Sequence, residues 1–316
     1  FLEGGGRKVF PLMALFGGGK THTLLAIYHA LKNPESTQYL SRELYELYRK
    51  ISGVEVVVIY GEESSLAPSP TKPLVIREKN LEIKTLWGYL GYKLDRYDLV
   101  ERYDRELVNP DIGVLHELLR GRRVAILVDE ILDYMLELPD EKLVERVIRF
   151  FEDLATVVSE TNSVLVVSIA AGKSEVTGEI VTQTMYARIA KYVKSLIEVL
   201  LRVAGNIYLP ISEKAELYNV LKKRLFKEVN VDKARAELEV QFKTYKEYPE
   251  VFGDVTAFIQ KVGESYPFHP EYLTILQLVA ERITGQRTRF AIRVSRVLLR
   301  QLYKSASNPA MIMPWH

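Results

Sequence analysis

The sequence has no cysteine, no long apolar run and almost no excess of charge. The absence of Cys from its 316 residues excludes disulfides, thiolate zinc sites and thiol catalysis, and it fits a cytoplasmic protein. The longest apolar runs, such as residues 164–169, are far too short to span a bilayer, so we expect no membrane association. No secretory signal is visible, and the start at Phe1 instead of Met leads us to expect a fragment. A formal net charge of +2 means that any nucleic-acid contact must come from a local basic patch.

A glycine-rich segment at residues 14–21 (ALFGGGKT) separates an apolar run (9–15) from a helix-like run (21–31). This is the strand, loop and helix context of a P-loop, although Ala14 stands where the pattern has its first glycine. Glycines allow successive backbone N–H groups to surround phosphate oxygens, and the helix adds the positive end of its dipole. Lys20 would reach the β- and γ-phosphates of ATP, and the Thr21 hydroxyl would ligate Mg²⁺. The alternative is a glycine-rich turn that binds nothing.

The first two thirds of the chain alternate β-like and helical runs. The β-like runs are continuous and rich in Val and Ile, at 54–60, 124–128 and 164–169. Such runs predict strands buried on both faces, and therefore a parallel sheet covered by helices. Helices are predicted between them at 43–51, 85–94, 111–120 and 141–158, and the breaker-rich segment 61–73 predicts a mobile loop.

The pattern changes at Pro210. Only helices are predicted beyond it, at 212–226, 232–245, 251–262, 270–283 and 286–305, with Ser212 as an N-cap and Pro270 at an N1 position. We therefore expect an α/β nucleotide-binding domain over residues 1–210 and a smaller all-helical domain over residues 211–316.

Polar side chains follow two of the predicted strands. The strand at 124–128 is followed by Asp129 and Glu130, and Ser168 lies near the end of the next strand. Ligands bind at the carboxyl ends of parallel strands. Asp129, on a strand beside the P-loop strand, could hold the Mg²⁺ shell, and Glu130 could orient and deprotonate the attacking water. The alternative for the two acids is that they cap the next helix.

Ser168 has two interpretations. Its hydroxyl could touch the γ-phosphate or the attacking water, or it could satisfy local backbone groups at the strand end.

Arginines are concentrated near the C-terminus, where no acid is present among the six arginines from Arg282 to Arg300. Arg289, Arg293, Arg296 and Arg300 share one helical face. One arginine could contact the γ-phosphate, the stripe could bind nucleic-acid phosphates, or the face could be solvated or salt-bridged. We favour a mixture, with one arginine near the nucleotide and the others structural.

These features together resemble the AAA+ ATPase superfamily. Within it, six blocks resemble the domain of unknown function 499 family of predicted ATPases: residues 16–29, 85–90, 126–134, 222–226, 266–271 and 286–293. The resemblance implies a three-layer αβα P-loop domain with a parallel sheet, followed by a helical lid. It also implies that the chain is the ATPase portion of a longer protein. The resemblance further implies a place in gene clusters that carry DNA methylases and helicases, and a role in anti-phage defence.

Site residues follow from the resemblance by position. The implied nucleotide-binding residues are Phe16, Gly17, Gly18, Gly19, Lys20, Thr21 and His22, and the implied metal ligands are Thr21 and Asp129. The implied catalytic residues are Lys20, Glu130, Ser168 as first sensor, Arg289 as second sensor (or Arg287) and Arg202 as a finger that reaches a neighbouring subunit (or Arg188). His269 is most simply an N-cap, and Asp133 and Tyr134 are expected to pack beneath the site.

Three functions remain open on the sequence. The main hypothesis is an ATPase that turns ATP into ADP with Mg²⁺, works as a homo-oligomer and remodels a nucleic-acid-associated or defence complex. The second is a signalling switch with slow turnover. The third is a DNA-binding defence subunit whose ATP site is structural.

Overall fold

A computed structural model of the chain describes residues 6–14, 19–173, 180–182, 184–210, 214–230, 238–239, 242–243, 245–252, 254–283, 287–305, 307 and 309–316. The contacts divide the chain into two units, one that extends to Pro210 and one that follows it.

The first unit alternates strands and helices. Its strands are β1 (Val9–Met13), β2 (Val54–Tyr60), β3 (Leu74–Ile76), β4 (Leu81–Ile83), β5 (Arg123–Asp129), β6 (Val164–Ile169), β7 (Ala171–Lys173) and β8 (Ile180–Thr182). Its α-helices are α1 (Lys20–Lys32), α2 (Arg42–Tyr48), α3 (Leu86–Lys93), α4 (Tyr97–Arg105), α5 (Ile112–Leu119), α6 (Ile131–Glu137), α7 (Glu141–Glu160) and α8 (Ala190–Ala204). Short 3₁₀ helices lie at Pro34–Tyr39, Arg77–Lys79 and Thr184–Ile189.

Four parallel strands form the central sheet, in the order β1-β6-β5-β2. The predicted parallel sheet is therefore confirmed. β2 and β6 have the predicted bounds, whereas β5 is longer by one residue at each end. Continuous Val and Ile runs fix these strands because such residues suit a pleated surface that is covered on both sides.

Both faces of this sheet are buried. On one face, Leu24 of α1 packs against Leu12, Leu127 and Val166, one from each of three neighbouring strands. Since side chains alternate along a strand, the residues between these point to the other face, and Met13, Val128 and Val167 are buried as well. The arrangement is compatible with a three-layer α/β fold.

The segment predicted as a mobile loop has more order than expected. Residues 67–69 are buried, and the buried Tyr134 hydroxyl donates to the Pro68 carbonyl at 3.0 Å. The antiparallel hairpin of β3 and β4 follows, and the sequence analysis did not predict it.

A buried carboxylate ties α4 to the start of α3. Asp104 is fully buried and accepts hydrogen bonds from the Lys84 amide at 3.1 Å, the Thr85 hydroxyl at 2.5 Å and the Tyr97 hydroxyl at 2.8 Å. The Thr85 oxygen in turn caps α3 by accepting from the Gly88 amide at 3.0 Å. A Cβ on Gly88 would lie 2.3 Å from an Asp104 oxygen, so glycine is required there. The block at residues 85–90 therefore has a structural role.

The second unit includes five helices with described bounds: α9 (Lys214–Leu225), α10 (Pro249–Phe252), α11 (Val255–Ser265), α12 (Tyr272–Ile283) and α13 (Arg287–Lys304). Its core includes Tyr218, whose hydroxyl donates to the carbonyls of His269 at 3.1 Å and Pro270 at 2.7 Å. The regular part of α12 begins at Tyr272, two residues after Pro270. The His269 side chain accepts from the Glu271 amide through Nδ1 at 3.1 Å, and its carbonyl accepts from the Tyr272 amide at 2.9 Å, so His269 caps this turn as predicted. Ser212 and most of the predicted helix at 232–245 lie outside the described residues.

Among the described helices of both units, none has the length and apolar character needed to cross a membrane.

Candidate functional site at the carboxyl edge of the sheet

Lys20 lies where β1 leads into α1. Gly19, which precedes the helix, has φ 83°, a left-handed conformation that favours glycine. The Lys20 side chain is buried, and its Nζ donates to the Ala14 carbonyl at 2.9 Å. Thr21 is half-buried and His22 is exposed. The Lys20 ammonium group therefore lies beside the residue that follows β1. A lysine that binds phosphate in a P-loop would occupy this end of the strand.

Phe16, Gly17 and Gly18, the remaining predicted nucleotide-binding residues, lie outside the described part of the chain.

Asp129 and Ser168 meet across two adjacent strands. Asp129 ends β5 and Ser168 lies near the end of β6, and both side chains are buried. The Ser168 hydroxyl donates to the Asp129 Oδ1, which also accepts from the Glu130 amide at 3.2 Å. Ser168 thus contacts a carboxylate and not only local backbone. The hydrogen bond orients Asp129 toward the carboxyl edge of the sheet.

The position of β5 corrects one expectation. The sequence analysis placed the Asp129 strand beside β1, but β6 lies between them, with Leu12 paired to Ser168 and Val128 paired to Val167. Hydrophobic periodicity identifies strands without giving their order, so this adjacency could not be derived from it. The inserted strand supplies the serine that holds Asp129.

Glu130 directly follows the sheet in a strained backbone conformation, with φ 49° and ψ 41°. Glu130 therefore occupies the N-cap position of α6, but its carboxylate makes no capping hydrogen bond there. Non-glycine residues in this region of backbone space are uncommon and concentrate at functional sites.

The pKa of Glu130 is raised to about 7. Burial is the largest cause, and the charge of Asp129 is the second. The ammonium of Lys20 acts in the opposite direction, and the nearby carboxylates of Asp133 and Glu62 raise the pKa further. A carboxyl group with a pKa near neutrality can accept a proton from water at physiological pH.

Gly61 allows β2 to approach Glu130 closely. Its amide donates to the Asp129 carbonyl at 3.0 Å, and a Cβ at this position would lie 1.9 Å from the Glu130 carbonyl oxygen. The sequence analysis treated Gly61 only as the start of a loop. The signal that could have identified it is a glycine immediately after a buried strand.

Other side chains surround the acidic pair. The exposed Glu62 accepts from the Tyr60 hydroxyl, and Asp133 accepts from the buried Tyr186 hydroxyl at 2.9 Å. Burial raises the pKa of Asp133 as well. Glu62 and Tyr186 were not predicted, because neither residue belongs to a recognisable local motif.

The candidate arginine fingers both contact their own unit. Arg202 forms a 2.6 Å ion pair with Glu152 of α7, and Arg188 donates to the Leu136 carbonyl. Arg287 and Arg289 belong to α13, but their side chains lie outside the described part of the structure.

Among the described residues, no three His, Asp or Glu side chains gather as a metal site on their own.

The sequence matches two protein-family models that together cover almost the whole chain. The DUF499 N-terminal domain matches residues 1–207, and the DUF499 second domain matches residues 212–316. The chain belongs to the DUF499 family. The predicted resemblance to this family is therefore confirmed. A comparison of this DUF499 chain with curated proteins gave no match.

Proposed function

We propose that this DUF499 protein is an AAA+ P-loop ATPase that hydrolyses ATP to ADP and phosphate with Mg²⁺. The observation that carries the proposal is the convergence of one ammonium and two carboxylates at the carboxyl edge of a parallel sheet. Lys20 follows β1, and Asp129 and Glu130 follow β5. This edge is where ligands bind in open α/β folds.

The residues present fit a magnesium ion that is shared with a nucleotide. Mg²⁺ is usually held by one or two protein oxygens together with substrate phosphates and water. Thr21 and Asp129 would supply the protein oxygens, and Ser168 orients the Asp129 carboxylate through its hydrogen bond. When bound, the ion would neutralise charge that develops on the phosphate oxygens.

Each protein group has a distinct task in the proposed reaction. Lys20 would leave the Ala14 carbonyl and bind the β- and γ-phosphate oxygens. Glu130 would accept a proton from water as the water oxygen forms a bond to the γ-phosphorus. The bond from that phosphorus to the β–γ bridging oxygen breaks, and ADP leaves. The neighbouring carboxylates favour the protonated form of Glu130 and so assist the transfer.

One observation favours slow turnover as a second candidate function. The described interactions of Arg202 and Arg188 engage both candidate fingers within their own unit. An isolated chain could then bind ATP as a switch, with slow turnover whose rate per subunit does not depend on protein concentration. A rate per subunit that rises with protein concentration supports the homo-oligomeric ATPase. The remodelling of a nucleic-acid or defence complex remains part of this proposal.

Lys20→Ala is expected to weaken ATP binding by about 10- to 100-fold, the range of a hydrogen bond to a charged group. Titration with a fluorescent ATP analogue measures the change. Lys32→Ala is the matched control, because Lys32 is exposed at the opposite end of α1. Unchanged affinity in a folded Lys20→Ala protein would remove the basis of the nucleotide site.

The pH dependence of kcat/KM tests the role of Glu130. The carboxylate must be deprotonated to act as a base, and its pKa is raised to about 7. We therefore expect kcat/KM to rise with pH and to level off above about pH 7. Asp133→Asn removes a charge that raises this pKa, so its profile should move to lower pH. A profile that levels off near the ordinary glutamate pKa of about 4.3 contradicts the assignment.

A further inference from the structure

The second unit contains a groove of about 940 Å³ that the proposed ATPase reaction does not use. It is lined by the end of α9, by α13 from Ile292 onward, by Tyr266 and Pro267, and by residues 309, 310 and 312. Its volume falls within the range of about 300–1,000 Å³ that is typical of ligand-binding clefts.

Arginines from two helices stand at this groove. Arg224 belongs to α9, whereas Arg296 and Arg300 are one turn apart on α13, and all three side chains are exposed. Among the described residues, neither Arg296 nor Arg300 has a carboxylate within ion-pair distance. Glu228 is the one acidic residue among the described lining residues. The groove is therefore suited to a ligand that carries negative charge.

The floor of the groove is aliphatic. Leu225 and Leu299 are half-buried there and pack against the core of the unit, and Ile312 belongs to that core. A ligand that only carried charge would leave this apolar surface in water. A ligand with apolar side chains would bury it, and the burial of apolar area is favourable.

We propose that this groove binds a short acidic peptide segment of a partner protein, with apolar side chains on the floor and carboxylates at the arginines. Charge complementarity and the aliphatic floor are the two grounds. A nucleic-acid strand fits less well, because its bases need successive exposed rings for stacking. Tyr303 is the one strongly exposed ring among the described lining residues, and Phe226 packs edge-on against Phe268 at 5.9 Å.

The test uses fluorescence polarisation with a short labelled peptide of alternating glutamate and leucine. We expect saturable binding. The affinity should fall about fivefold in Arg296→Gln and about fivefold in Arg300→Gln, which is the upper range for the loss of one exposed ion pair. Arg293→Gln is the matched control, since Arg293 is exposed on α13 but does not line the groove. Peptides of glutamine with leucine, and of glutamate with serine, should both bind more weakly.

Three outcomes overturn the proposal. The peptide could fail to bind, or its binding could be insensitive to Arg296 and Arg300. A labelled oligothymidylate could also bind more tightly than the peptide and lose affinity equally with Arg293→Gln, which would assign the whole arginine stripe to nucleic acid. ATP binding is measured on the same variants, so failure of the groove is distinguishable from failure of the nucleotide site.

Discussion

Glu130→Gln is expected to lower kcat for ATP hydrolysis by roughly 10²- to 10⁴-fold, the contribution of a positioned general base. Glutamine keeps nearly the same shape but cannot accept the proton of the attacking water. ATP affinity should be retained, because the change removes one negative charge from an acidic edge and leaves Lys20 and Asp129 in place. Single-turnover hydrolysis and equilibrium ATP binding, measured on the same preparation, separate the two effects.

Glu62→Gln is the matched control for this variant. Glu62 lies near the same edge and contributes to the raised pKa of Glu130, but its side chain is exposed and bonded to Tyr60. It should therefore keep most of the turnover. If Glu130→Gln hydrolyses ATP at a rate close to that of the unchanged protein, Glu130 is not the base, and another group on this edge must accept the proton.

The strands of the central sheet were largely predictable from the sequence. The short hairpin that follows β2 and the order of the strands in the sheet were not. The runs at 54–60 and 164–169 predicted the bounds of β2 and β6 correctly, because a strand covered on both faces is a nearly continuous run of Val, Ile and Leu. The hairpin of β3 and β4 escaped prediction because each strand has only three residues, too few to show a periodic pattern. The position of β6 between β1 and β5 depends on long-range pairing, which local sequence does not encode.

In the candidate site, too, individual residues could be predicted from the sequence, whereas the contacts between them could not. Lys20, Asp129 and Ser168 could be named in advance because each stands at a strand end or a helix start. The hydrogen bond from Ser168 to Asp129 could not, since it depends on strand order. Gly61 escaped for a related reason: what requires a glycine there is the Glu130 carbonyl, 69 residues further along the chain.

Asp104 is buried and structural, although the sequence alone suggests an ordinary exposed acidic residue on a helix. It falls in a strongly charged stretch of α4, yet three donors converge on it: the Lys84 amide and the Thr85 hydroxyl before α3, and the Tyr97 hydroxyl at the start of α4. Burial raises its pKa, and the hydrogen bonds from Thr85 and Tyr97 oppose that shift. The carboxyl group therefore supplies the acceptors for three donors at this site.

Asp104→Ala is expected to destabilise the first unit by about 3 kcal/mol or more, since each buried donor left without a partner costs about 1–3 kcal/mol. Asp104→Asn keeps one acceptor oxygen and should lose less. Asp98→Ala, in the exposed first turn of the same helix, should cost less than about 1 kcal/mol. Urea unfolding followed by Trp87 fluorescence measures the change, in a Trp315→Phe background because the only other tryptophan is exposed in the second unit. A midpoint for Asp104→Ala that equals that of Asp98→Ala would mean that water replaces the carboxylate, and that the Thr85 cap holds α3 without it.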